Sequence, residues 1–213
     1  MIIIIGNQKG GAGKSTLTLL LANYLTLSKQ KNVTVIDMDY QQSIYQKYEQ
    51  AAILENEAPY EVLSAGLEIY PQLLPVLKQN QGDIILIDLP GKLDDDHLIP
   101  VLNSAELMIC PFAYDEFSFN STIFFTLLVK NIHAEVPMVF VPNRIKGNVK
   151  YATKEQMETQ LNNFGKVTQP IMDRVDFQRV NTFQTPLSVY PLIIPVFEEI
   201  YKSVILPNLS KGV

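Results

Sequence analysis

The sequence predicts an α/β fold, a doubly wound and mostly parallel sheet with helices on both faces. Two observations predict it. Five short apolar runs, Met1 to Ile5, Val33 to Ile36, Ile84 to Ile87, Leu107 to Cys110 and Met138 to Val141, lack the alternation of a sheet with one wet face, so they read as parallel strands buried on both sides. Between and after them lie segments with apolar residues at helical spacing: Ser15 to Ser28, Leu93 to Asn103, Ser118 to Asn131, Lys154 to Asn163 and Ile193 to Leu206. Strands alternating with helices require right-handed crossovers and place ligands at the C-terminal strand ends.

Pro195 is expected near the start of the last helix, where its missing N–H costs little. The polar stretch Gln41 to Glu57 reads as either a surface helix or a mobile loop. No repeat, low-complexity tract or linker interrupts the pattern, and 213 residues suit one domain over 1–213. Apolar residues at 47% and charged ones at 18% exclude the signature of disorder.

The apolar start ends in a glycine loop instead of the features of a signal peptide, and no run approaches the roughly 20 apolar residues of a membrane span. The single Cys110 lies in an apolar run and reads as a small core residue. A cytoplasmic protein is expected. The net charge of −5 is unevenly spread: residues 141 to 213 carry 9 basic and 6 acidic side chains, a net of +3.

The first strand runs into Gly6-Asn7-Gln8-Lys9-Gly10-Gly11-Ala12-Gly13-Lys14-Ser15-Thr16, and a helix pattern follows at once. Small residues let successive backbone N–H groups converge on phosphate oxygens, and the positive end of the helix points at the same spot. Lys14 is placed to neutralise β and γ phosphates, Ser15 to set its hydroxyl on Mg²⁺, and Thr16 to reach the α phosphate. A glycine-rich turn with two solvated lysines is the plain alternative. A dinucleotide site is another, since Gly11-x-Gly13-x-x-Thr16 follows a strand and Asp37 lies about 20 residues on; Thr16 replaces its third glycine, and Lys14-Ser15 has no task there.

Gln8 stands where the first glycine of a standard phosphate loop belongs, and a second lysine, Lys9, lies inside the loop. Lys-Gly-Gly-x-Gly-Lys-[Ser/Thr] is the deviant Walker A loop, and the stretch Gln8 to Thr16 closely resembles that of the ParA and MinD class of P-loop ATPases, the ParA-type partition ATPases above all. The resemblance implies that Gln8, Lys9, Gly10, Gly11, Ala12, Gly13, Lys14, Ser15 and Thr16 hold ATP. It also implies that Lys9 reaches across a two-fold interface to the phosphates of a partner subunit.

Two strand ends carry acids on the same expected edge, Asp37 and Asp39 in one and Asp88 in the other. Asp88 matches the Walker B acid, which in this class holds Mg²⁺ through water; a turn-capping carboxylate is the alternative. Asp39 matches the residue that positions or deprotonates the attacking water, with its own water-mediated reach to the metal, and Asp37 reads as a structural acid behind it. Tyr40 departs from the proline usual after that aspartate, and Leu89-Pro90-Gly91 carries one proline where relatives often have two. By the same resemblance Asn143 and Arg144, at the end of the fifth strand, meet the adenine edge; a strand-terminating turn is the alternative.

The implied function is slow ATP hydrolysis coupled to an ATP-dependent homodimer that binds DNA non-specifically, for segregation or maintenance of a plasmid, chromosome or mobile element. Basic residues for DNA are Arg144, Lys146, Lys150 and Lys154, then Arg174, Arg179, Lys202 and Lys211. Nucleoid association would follow, a ParB-like adaptor is the expected stimulating partner, and the absence of a preceding DNA-reading domain argues against site-specific autoregulation. One rival is a MinD-like membrane switch, against which the tail Phe197 to Val213 carries only Lys202 and Lys211. A second is a metabolic enzyme on the same loop, such as a dethiobiotin-synthetase-like ligase. A nitrogenase-reductase-like carrier needs cysteines that Cys110 alone does not supply.

Overall fold

The computed structural model describes residues 1–52, 57–79 and 82–210. Its strands are β1 (Ile2–Ile5), β2 (Val33–Asp37), β3 (Glu61–Ser64), β4 (Ile84–Asp88), β5 (Leu107–Phe112), β6 (Met138–Pro142) and β7 (Lys166–Val167), and its helices α1 (Lys14–Asn23), α2 (Ser43–Ala52), α3 (Tyr70–Leu77), α4 (Leu98–Asn103), α5 (Glu116–Ile132), α6 (Lys154–Leu161), α7 (Tyr190–Ile200) and α8 (Leu206–Leu209). The strands form one sheet in the order β3-β2-β4-β1-β5-β6-β7, with every pairing parallel.

The strand period of two divides the core in two. Ile3, Ile5, Val35, Leu86 and Ile109 point to the face covered by α1, α2 and α7. Ile2, Ile4, Ile87, Met108 and Phe140 point to the face covered by α3, α4, α5 and α6. Both faces are dry, which is why the strands read as unbroken apolar runs. Cys110 is fully buried on the second face, and burial holds its thiol well above the usual range.

Several elements differ from the sequence reading. β3 and β7 were not expected: β3 has only four residues and starts on exposed Glu61, and β7 has two, too few for a pattern. α3 was hidden by Pro71 at its start and Pro75 inside it. Gln41 to Glu57 holds α2, with residues 53–56 outside the described set, as is Lys211. The segment expected over Leu93 to Asn103 is helical only from Leu98. The last helix begins three residues before Ile193, so Pro195 sits inside it and not near its first turn; Pro191 takes that place. α1 and α7 both run on into π-helical turns, Tyr24–Ser28 and Tyr201–Ile205.

β1 lies between β4 and β5, so the loop that leaves it opens at the middle of the sheet's C-terminal edge. Gly6 begins that loop against the second core: a Cβ there would stand 2.5 Å from Phe125 Cζ and 3.0 Å from Leu89 Cδ1. Gly6→Ala is therefore expected to lower stability by about 1–3 kcal/mol, the usual range for overpacking, measured as an earlier midpoint in urea unfolding.

Candidate functional site

A cavity of about 1340 Å³ opens over the C-terminal strand ends, lined on one wall by Gln8, Gly10, Gly11, Gly13, Lys14, Ser15 and Thr16. Gly11 and Gly13 have φ of 76° and 89°, the left-handed backbone that only glycine adopts at low cost. At Gly13 a Cβ would also collide with the Asn143 amide.

Side chains from elsewhere hold the loop. Asn7 is fully buried; its Nδ2 donates to the Pro111 carbonyl at 2.8 Å and to Thr122 Oγ1 at 2.9 Å, and its Oδ1 accepts from the Lys9 N–H at 3.0 Å. Asn143 Nδ2 donates to the Ala12 carbonyl at 2.9 Å, and Arg144 donates to the Gly11 carbonyl at 2.8 Å. With these carbonyls taken from outside, no protein acceptor for the N–H groups of Gly10 through Thr16 is present among the described residues. Such a row of free amides ahead of a helix is an anion-binding surface.

Lys14 is buried at 7% exposure and lines the cavity. Lys9 does not line it, although its neighbours Gln8 and Gly10 do. Its ammonium stands 5.6 Å from the ring centroid of Phe117 at the start of α5.

Asp37 and Asp88 face each other in register on β2 and β4, both buried, and their surroundings differ. Asp37 accepts from the N–H groups of Asp39 at 3.1 Å, Ile44 at 2.9 Å and Tyr45 at 3.1 Å, the last two in the first turn of α2. Burial raises its pKa, and the three N–H donors oppose that rise. Asp88 accepts from Ser15 Oγ at 2.6 Å, and Thr18 Oγ1 lies 3.3 Å away with its single proton shared with the Lys14 carbonyl at 3.0 Å. Burial pushes its carboxyl up to about 7; the Ser15 hydrogen bond opposes this, the Asp37 charge adds to it, Lys14 opposes it and Asp39 adds to it. A buried carboxylate so weakly compensated, beside a hydroxyl already turned toward it, suits a divalent cation held by Ser15 and, through water, by Asp88. No group of three or more His, Cys, Asp or Glu close enough to hold a metal exists among the described residues, so such a cation would need phosphate and water as its other ligands.

Asp39 also lines the cavity and is partly exposed; its Oδ1 accepts from the Gln41 N–H at 2.9 Å. Tyr40, 69% exposed, shares the far wall with Asp94, Asp95 and Asp96, an acidic run that the sequence reading passed over. Behind the loop a smaller cavity of about 350 Å³ lies between Leu17, Leu20, Asn143 and the segment Asp173 to Gln178. Arg144 (φ 59°) turns the chain there.

Two residues of the site, and one arrangement within it, were missed by sequence reasoning. Asn7 was legible as the first polar residue after the apolar strand. Thr18 lies one helical turn after Lys14 and bonds back to its carbonyl at 3.0 Å. The anchoring of Gly11 and Ala12 by Arg144 and Asn143 joins positions more than 130 residues apart, a pairing no local signal announces. Of the basic residues named for DNA, Lys154, Arg179 and Lys202 are within ion-pair distance of acids, and Arg144 lies 3.9 Å from Asp173. Lys146, Lys150 and Arg174 are exposed and carry no ion pair among the described residues. No helix among the described residues is long and apolar enough to cross a membrane.

The family model for the CobQ/CobB/MinD/ParA nucleotide binding domain matches residues 3–187. Among solved structures, a Borrelia burgdorferi protein described as a plasmid partition protein, bound to AMPPNP, aligns with a TM-score of 0.72 at 22% identity, covering 95% of this chain and 98% of that one. The MinC:MinD cell division complex of Aquifex aeolicus aligns at 0.70 and 18% identity, covering 95% and 96%. The pNOB8 ParA bound to nonspecific DNA aligns at 0.63 and 19% identity, covering 96% and 97%. At these identities the likeness is one of fold. No curated protein sequence matches the chain at a significant level.

The two buried carboxylates give a pH dependence with a definite sign. Asp88 binds its proton more tightly folded than unfolded, so its contribution to stability is full below about pH 4 and is lost as pH rises through about 7. Asp37 acts in the same direction. Glu198, held down to about 2 by its hydrogen bonds to Lys29, Tyr24 and Lys202, acts only at lower pH. The thermal midpoint of the nucleotide-free protein is expected to fall from pH 5 to pH 8, and Asp88→Asn is expected to flatten that slope in scanning calorimetry.

Proposed function

The chain belongs to the CobQ/CobB/MinD/ParA nucleotide-binding domain family, and on that footing we propose that it is an ATP-driven switch of the partition type, one ATPase domain over 1–213. The reading is carried by one observation: a loop of unpaired amides and buried Lys14, set beside the Ser15–Asp88 pair. This is a receptor for a triphosphate with its metal.

In this reading the amides from Gly10 to Thr16 take the phosphate oxygens and Lys14 neutralises the β and γ groups. Mg²⁺, held at Ser15 and through water at Asp88 and Asp39, would supply charge neutralisation across those groups. Asp39, partly exposed at the mouth, orients the attacking water. Lys9 acts on the partner's phosphates in an ATP-dependent homodimer. Asn143 Nδ2 is spent on Ala12, which leaves Oδ1 as an acceptor for the amino group of adenine. The apolar walls Leu17 and Leu20, with Val175 and Phe177 opposite and Arg144 beside them, suit the base.

For DNA we assign Lys146, Lys150 and Arg174. The segments after β6 and around Met172 are drawn together by the Ile145–Met172 bridge, and two such basic rims in a dimer bind far more tightly than one. The assignment is consistent with a cytoplasmic, nucleoid-associated protein serving a plasmid, chromosome or mobile element, with a ParB-like adaptor as regulator.

Three outcomes test this. Lys14→Ala should lose at least tenfold in ATP affinity by calorimetry, the scale of one charge-assisted contact at about 1.5–3 kcal/mol. Asp39→Ala should slow phosphate release by roughly 10²- to 10⁴-fold while still dimerising with ATP in light scattering. DNA retention should require ATP over ADP, weaken with salt, and drop with Lys146→Glu plus Lys150→Glu; liposome flotation with ATP in place of DNA retention would favour a membrane switch instead.

A further inference from the structure

We propose that Phe117 is a positioning residue for Lys9, its ring holding the ammonium outside its own phosphate cavity and in reserve for a partner protomer. The proposal rests on the cross-protomer reading of Lys9 given above.

The lysine is held by α5 at both ends. Its backbone N–H donates to Asn7 Oδ1, and the Asn7 amide donates to Thr122 Oγ1 in the second turn of that helix. Its ammonium lies 5.6 Å from the Phe117 centroid in the first turn. No carboxylate stands within ion-pair distance of it among the described residues. The aromatic face is thus the cation's electrostatic partner on the protomer.

Phe117 itself is 76% exposed. A phenyl ring so open to water contributes little to the core, whereas Phe125, two turns along the same helix, is fully buried. The first turn is fixed without it, since Asp115 caps the helix by accepting from the Ser118 N–H at 2.9 Å. The ring does lie under the lysine ammonium.

The strength of such a contact suits a reserve position. At an exposed site a ring–ammonium pair biases a conformer population by roughly twofold to fivefold. That tilts a flexible side chain toward the ring without locking it there, and is less than a charged phosphate oxygen offers. The arrival of a partner's nucleotide therefore outcompetes the ring for Lys9.

The chain contains no tryptophan, so Phe117→Trp places a single indole under the ammonium. In the full-length protein without nucleotide, its emission is expected to differ from that of Phe117→Trp combined with Lys9→Ala. Mg-AMPPNP is expected to remove the difference. Identical emission without nucleotide, or a difference that AMPPNP leaves untouched, overturns the proposal. Phe117→Leu should change kcat by about twofold to fivefold with KM for ATP unmoved, and Phe117→Tyr should restore the parent rate; a change in KM alone also overturns it. Sedimentation of Lys9→Ala with AMPPNP separates the two ideas: dimers as stable as the parent's sink the cross-protomer reading whatever the emission shows.

Discussion

The site depends on where the backbone carbonyls of the glycine loop go. A short loop with left-handed glycines turns some peptide groups outward, where their carbonyls take partners from the protein or from water. Here the Gly11 and Ala12 carbonyls are taken by Arg144 and Asn143 from the end of β6, and Asn7 pins the other side to β5 and α5. The N–H groups from Gly10 to Thr16 are left without a protein acceptor among the described residues. Central placement of β1 makes this possible, because loops from β4, β5 and β6 all reach it.

The pair Asp37 and Asp88 illustrates how environment divides two chemically identical groups. Three backbone donors make Asp37 part of the scaffold: it fixes the first turn of α2 and the loop that presents Asp39. Asp88 has only hydroxyls, each free to turn its proton elsewhere. One carboxylate is fully engaged in structure, and its neighbour is not.

Five of the strands and the position of the loop were legible because dry parallel strands leave long apolar runs, and because a loop that must approach phosphate closely admits few side chains. The edges were not legible. β3 is as short as β1 but mixes Glu61 and Ser64 with two apolar residues, β7 has only two residues, and α3 carries two prolines that speak against a helix, although Pro71 occupies a position where no N–H is required. Pro195 was read as a starting residue because the apolar spacing is clear only from Ile193, while the helix begins at Tyr190. Within the site, residue types predicted most of the loop side of the cavity together with Asp39 and Arg144, whereas Lys9, Ala12, Asp88 and Asn143 do not line it and the acidic wall of Asp94 to Asp96 was not foreseen. The clamps on the loop escaped notice because they join distant parts of the chain, and spacing carries no trace of them.

The sheet closes with β3 at one margin and the two-residue β7 at the other. A strand that brief offers a second chain almost no ladder to extend, and this is a common protection against open-ended aggregation. Copies of the protein that meet are thereby steered away from joining their sheets side by side into fibres. The rim of loops at the C-terminal strand ends lies away from both margins.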